Sequence, residues 1–179
     1  MTDKILILGW GRCGKDEAGA FFHDHLGLGY CGSTSWAALP LLASFLDRPA
    51  QLLWEQRHQN RQLWKDTLDG WRVGDPSLLI RRALDGTPTG RVVTGVRDKC
   101  EIDAAKEKNL FTHYLWIERP GVPQDSTVTF TAADCTDLVR NNGTLRAFHV
   151  ALLKWSLVAN LRDLRHSKYA CELFADFDP

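Results

Sequence analysis

The sequence predicts an α/β protein with a mostly parallel sheet, and three observations carry that expectation. Residues 4–8 (KILIL) carry a continuous run of four apolar residues that stops at Gly9, the pattern of a strand buried on both faces. Gly9, Gly14 and Lys15 then fit G-x-x-x-x-G-K, placed between that strand and a helix. Downstream, short apolar runs alternate with helical patterns, as where helices cross over between parallel strands.

The elements follow in order. Ala18, Phe21, Phe22 and His25 lie at helical spacing over residues 16–25, and Gly27 and Gly29 stop that helix. Tyr30 and Cys31 make a second short strand. Gly32, Ser33, Thr34 and Ser35 form a loop that can cap a helix beginning near Trp36, with Pro40 early in it. Residues 52–68 carry the strongest helical pattern, with Trp64, Leu68 and Trp71 on one face and Arg57, Arg61 and Lys65 in a basic stripe at i, i+4 and i+8. A short helix is expected over 76–84, a turn over 85–90, a strand over 91–94 and a helix over 101–108. Residues 114–117 read as a buried strand, and 119–133, with Pro120, Gly121 and Pro123, as mostly loop. Leu138 and Val139 form the last strand. Asn141, Asn142 and Gly143 turn the chain, and Thr144 can cap a helix to about Arg162.

A chain of 179 residues is one domain by length and long enough for one sizeable core. Lys plus Arg equals Asp plus Glu at 22 each, which argues against bulk nucleic-acid binding or a polybasic membrane surface. No apolar run is long enough to span a bilayer, and the first residues do not form a signal peptide. The five cysteines are scattered, with no C-x-x-C, so neither a disulfide framework nor a zinc site is indicated. Together these features predict a cytoplasmic protein.

The glycine-rich loop carries the chemistry. Glycines let successive backbone N–H groups turn toward phosphate oxygens, and the helix that follows adds its positive end. Lys15 can neutralise charge between the β- and γ-phosphates. Two glycines and a lysine at these places recur about 0.05 times by chance in a chain this long, so a nucleotide phosphate site is the reading adopted. Gly9, Trp10, Gly11, Arg12, Cys13, Gly14 and Lys15 then line the donor nucleotide. Asp16 stands where a Ser or Thr is usual. It can hold Mg²⁺, or it can serve only as acidic charge at a helix N-terminus. Cys13 is either acidified by the same helix end or a small tolerated loop residue.

Other candidates have two readings from pattern alone. Arg57, Arg61 and Lys65 are either a solvated face or a monophosphate site, since arginine binds phosphate bidentately. Arg97 ends a strand in a βα turn, where ligands of α/β folds bind, or makes a surface salt bridge. Arg119 opens the Pro/Gly loop and can swing over phosphates, or simply ends a strand. Trp36, beside Ser35, can stack on a base or enter the core. His23 and His25 fall on different helix faces and form no metal pair.

Gly14-Lys15-Asp16 resembles the phosphate loop of the deoxynucleoside monophosphate kinases of tailed bacteriophages. The resemblance covers nearly the whole chain. It takes in Ser33-Thr34-Ser35-Trp36-Ala37, Arg57 with Arg61, Trp64 and Lys65, and Val92-Val93-Thr94-Gly95-Val96-Arg97 with Glu101. It ends with residues 138–145, which are also similar to the base-loop region of dephospho-coenzyme A kinases. It implies a single domain over 1–179 with a three-layer P-loop kinase fold, a sheet of about five strands and a lid-like loop around 119–133. It implies ATP or dATP as donor, Mg²⁺ held at Asp16, and transfer to a deoxynucleoside 5′-monophosphate. Lys15, Arg97 and Arg119 would then be catalytic, and Asn142 and Gly143 would lie on the donor. Ser35, Trp36, Arg57, Arg61 and Lys65 would bind the acceptor. The expected partners are small-molecule nucleotides, and a homodimer is compatible with the sequence.

One position departs from that family. Many of its members have Asp where this chain has Gly95, so the second carboxylate must come from elsewhere, with Asp98 and Glu101 the nearest in sequence. Animal-type phosphomevalonate kinases also resemble the Gly-Lys-Asp loop. The alternatives are a P-loop kinase acting on DNA or on a small phosphorylated metabolite, and a non-catalytic nucleotide-binding protein.

Overall fold

Strand β1 (Ile5–Leu8) has all four side chains buried because it is flanked on both sides. The strand β3 (Gly90–Thr94) pairs Ile5 with Val92, and β4 (His113–Glu118) pairs Ile5 with His113. With β2 (Gly29–Ser33) and β5 (Asp137–Arg140) at the edges, the order is β2-β3-β1-β4-β5, and every pairing is parallel. This computed structural model describes residues 3–57, 59–87 and 89–161. Among them the sheet has five strands, in an α/β arrangement with helices on both faces.

Side-chain alternation along the strands builds two cores. Ile5, Ile7, Leu115, Ile117 and Val139 meet α1 (Lys15–Leu26) and α7 (Leu145–Val158) through Phe21, Phe22, Phe148 and Leu152. Leu6, Leu8, Val93 and Trp116 face the other way, onto α5 (Leu78–Asp85) and α6 (Lys99–Glu107) through Ile80, Ala83, Ile102 and Ala105. A third cluster joins α2 (Thr34–Leu46), α3 (Ala50–Glu55) and α4 (Arg61–Gly74) through Leu42, Leu53, Trp64 and Leu68. Each large apolar side chain fully buried here contributes about 1.5–3 kcal/mol.

The chain differs from the sequence expectation most clearly at residues 52–68. One helix was expected, but there are two, broken over 56–60. Leu53 and Trp64 stay in helical phase across the gap, so periodicity alone does not reveal it. Residues 55–62 contain no apolar side chain, so two turns of helix would have nothing to bury. The Gln56 carbonyl accepts from both the Asn60 N–H and its side-chain amide, which closes the break. Arg57, Arg61 and Lys65 therefore do not form one helical stripe. The predicted end of the last helix at Arg162 lies outside the described residues, and α7 ends at Val158.

Residues 119–133 divide in two. Val128 and Phe130 are buried, and Ala132–Asp134 form a 3₁₀ turn capped by Thr131. The Thr129 N–H donates to the Arg97 carbonyl at 3.0 Å, so this half of the loop is fastened to the end of β3. Among the described residues the cysteines are free, and no helix is long and apolar enough to cross a membrane.

The connections place the site. From β1 the chain runs outward to β2, back to β3, and then over β1 to β4. Such a reversal leaves a crevice beyond the carboxyl ends of the strands, here β1, β3 and β4.

Candidate active site

The loop from Gly9 to Lys15 leaves β1 and enters α1 without a side-chain cap. Gly14 is the N-cap at φ +106, and a Cβ there would lie 2.7 Å from Asn141 Nδ2 and 3.3 Å from the Phe148 ring. Only glycine fits both the torsion and the space. Asn141 in turn donates through Nδ2 to the Cys13 carbonyl at 2.9 Å, so the residue that follows β5 braces the loop. Loss of this buried amide bond costs about 1–3 kcal/mol. Asn141→Ala is expected to lower the melting temperature by about 3–10 °C in thermal unfolding.

Lys15 folds back into its own loop. Its Nζ donates to the carbonyls of Gly9 at 2.7 Å and Trp10 at 2.5 Å, and burial pushes its pKa down. Cys13 lies 3.8 Å from that ammonium, yet burial pushes its thiol up, against the pull of Lys15. Of its two readings, the small buried loop residue is the one the structure supports. Trp10 turns its ring into the core, edge-on to Trp116 at 5.6 Å, and leaves only its backbone on the loop. Arg12 sits at φ +64 and lines the open cavity.

Asp16 faces Tyr30, near the start of β2, and Thr94, at the end of β3. The hydroxyls of Tyr30 and Thr94 each lie 3.3 Å from its Oδ1 and 3.1 Å from one another. Burial pushes the Tyr30 phenol up to about 12, so it remains a donor at working pH. Among the described residues no group of three His, Cys, Asp or Glu side chains forms a metal cage. A divalent cation here would share Asp16 with the oxygens of the nucleotide, which suits Mg²⁺, an ion that takes few protein ligands beside substrate phosphates.

Two cavities open over this floor. The larger, about 1160 Å³, is lined by Lys15, Asp16, Arg12 and Trp36, with residues 121–125 along its rim. The smaller, about 230 Å³, lies between α4 and the loop after β4, against Trp64, Leu68 and Arg72. Ser35, Arg57, Gly95 and Arg97 line both, so the two cavities meet there.

Arg97 occupies that junction. Its guanidinium donates to Asp125 Oδ2 at 3.0 Å and to the Thr127 hydroxyl. Arg57 lies in the break between α3 and α4, with its guanidinium 4.0 Å from the Trp54 ring centre. Trp36 is 54% exposed and meets Trp54 edge-on at 4.9 Å, so it is a cavity wall and not a core residue. Ser33 fixes it by accepting from the Trp36 N–H. Lys65 lines the smaller cavity and pairs with Asp69 at 2.5 Å. Arg61 opens α4, and its side chain lies outside the described part of the structure.

Three expected residues stand apart. Arg119 is exposed just beyond β4 and lines neither cavity. Asn142 and Gly143 are exposed in the turn before α7, while Asn141 reaches the loop.

Gly95 has a physical reason to be glycine. Its φ is +89, and a Cβ would meet Ser33 Cβ at 2.8 Å and the Thr34 nitrogen at 3.1 Å. Glu101 does not replace the missing carboxylate. It is fully buried, with Oε2 accepting from Arg72 at 3.1 Å and from the N–H groups of Arg97 and Asp98. Burial pushes its carboxyl up, against the pull of Arg72. Asp98 caps α6 in a capping box with Glu101. The carboxylate that does line the larger cavity beside Asp16 is Asp125, which no local sequence pattern marks.

With this geometry in view, one solved structure is informative. A sugar kinase from Janibacter sp. HTCC2649, solved without ligand, superposes with a TM-score of 0.53 at 15% identity, over 93% of this chain and all of that one. The likeness is one of fold. No family model matches the chain, and no curated protein matches it.

Proposed function

We propose that the protein transfers the γ-phosphoryl group of ATP or dATP to a (deoxy)nucleoside 5′-monophosphate. The observation that carries this reading is the meeting of a phosphate-loop cavity with a second, smaller cavity at two arginines, Arg57 and Arg97. The donor triphosphate would lie along Gly9–Lys15, under the N–H groups of the loop and the positive end of α1. An acceptor phosphate entering from the smaller cavity would meet both guanidinium groups, which suit phosphate oxygens. One of its oxygens attacks the γ-phosphorus as the bond to the β-phosphate oxygen breaks, leaving ADP. The attacking oxygen is already anionic, so no general base is required.

The chain then works by position and charge. Lys15 leaves the carbonyls of Gly9 and Trp10 for the phosphates, while Arg97 and Arg57 stabilise charge on the group in flight. Mg²⁺, held by Asp16 and the phosphates, would neutralise part of the triphosphate charge. The size of the second cavity supports a small acceptor over a DNA strand.

A coupled ADP-release screen across all dNMPs, NMPs, sugar phosphates and single-stranded DNA tests this reading. Turnover well above background with at least one mononucleotide is expected. Turnover with a sugar phosphate alone would move the acceptor to another small metabolite, and nucleotide binding without turnover would favour a binding protein.

A further inference from the structure

We propose that Asp125 makes the phosphate site select metal-loaded triphosphate over the metal-free form. The inference rests on the nucleotide reading above and concerns the same cavity. Gly95 leaves the end of β3 without a side chain, and the loop after β4 delivers a carboxylate to that cavity instead. Asp125 Oδ2 lies 3.2 Å from the point a Cβ on Gly11 would occupy, so it sits directly against the phosphate loop. The same oxygen lies 3.0 Å from Arg97.

The carboxylate is fixed in place. Oδ1 accepts from the Thr127 N–H at 3.0 Å and the Thr127 hydroxyl at 2.6 Å, and the segment continues into buried Val128 and Phe130. Burial works to raise this carboxyl, but Thr127 and Arg97 outweigh it and hold the group at about 2, so the charge is present at any working pH. Arg97 has 39% of its side chain exposed and faces both cavities. Its guanidinium has room to exchange Asp125 for a phosphate.

A bare triphosphate along the loop brings several negative charges toward Gly11. Asp125 repels them and competes with them for Arg97. A divalent cation on the triphosphate cancels much of that charge and gives Asp125 something to attract. A unit charge within about 10 Å, at an effective dielectric near 20, changes an affinity on the order of tenfold.

Isothermal titration of ATP, with and without Mg²⁺, into the parent, Asp125→Asn and Asp125→Glu proteins tests this, with thermal melts to confirm folding. The Asn variant is expected to bind metal-free ATP about tenfold tighter and Mg-ATP no tighter than the parent. The Glu variant keeps the charge and should keep the parental ratio of the two affinities. An unchanged ratio in Asp125→Asn, or a Glu variant that behaves like Asn, overturns the inference and leaves the nucleotide reading standing. A parent protein that binds neither form overturns both.

Discussion

Lys15→Ala is expected to lower kcat by about two to three orders of magnitude, the effect of removing one preorganised charge donor from a transition state. The Lys15 ammonium is held inside the glycine-rich loop, on the Gly9 and Trp10 carbonyls. On the proposed reaction its charge would matter most when the γ-phosphoryl group is between donor and acceptor. The fold should survive, because the glycine torsions and the Asn141 brace shape the loop without the lysine side chain. Single-turnover ADP formation at saturating nucleotide separates the chemical step from binding, and a thermal melt reports the fold. Near-parental turnover from a folded variant would remove Lys15 from the reaction and with it the kinase reading.

Gly95→Asp is expected to destabilise the protein by about 2–5 kcal/mol rather than supply a carboxylate. A left-handed torsion costs a residue with a side chain about 1–2 kcal/mol, and crowding a packed contact adds about 1–3 kcal/mol. Both conditions hold here: φ is +89, and the Cβ would meet Ser33 Cβ and the Thr34 backbone, where β2 turns into α2. Gly95→Ala separates the two contributions from the added charge and should show most of the loss. Urea unfolding of the two variants measures it. A Gly95→Asp protein as stable as the parent would mean that β2 and α2 yield, and that the position is open to an acidic side chain.

These two positions show what kinds of information the chain carries locally. The strand, loop and helix around Lys15 are legible because their causes lie within a few residues. An apolar run wants burial, glycines allow the loop torsions, and a helix start supplies N–H groups. The capping of α2 by Ser33 and of α7 by Thr144 is local in the same way. The break between α3 and α4 was also present in the sequence, as eight residues without an apolar side chain, but the apolar phase on either side conceals it.

The alternation of strands and helices, and the glycine-rich loop between the first two, were determined by the sequence alone. The brace from Asn141 to Cys13 spans 128 positions, and the pair of Asp125 with Arg97 spans 28. No residue type or spacing announces either. They exist because the parallel order β3-β1-β4-β5 brings the loops after these four strands to one end of the sheet. The same strand order presses the end of β3 against the start of α2 and makes Gly95 obligatory. Only the tertiary structure decided which carboxylate joins Asp16 in the larger cavity and where the two cavities meet. Backbone torsions and burial act over a few residues, whereas charge and space in a site depend on which loops the sheet brings together.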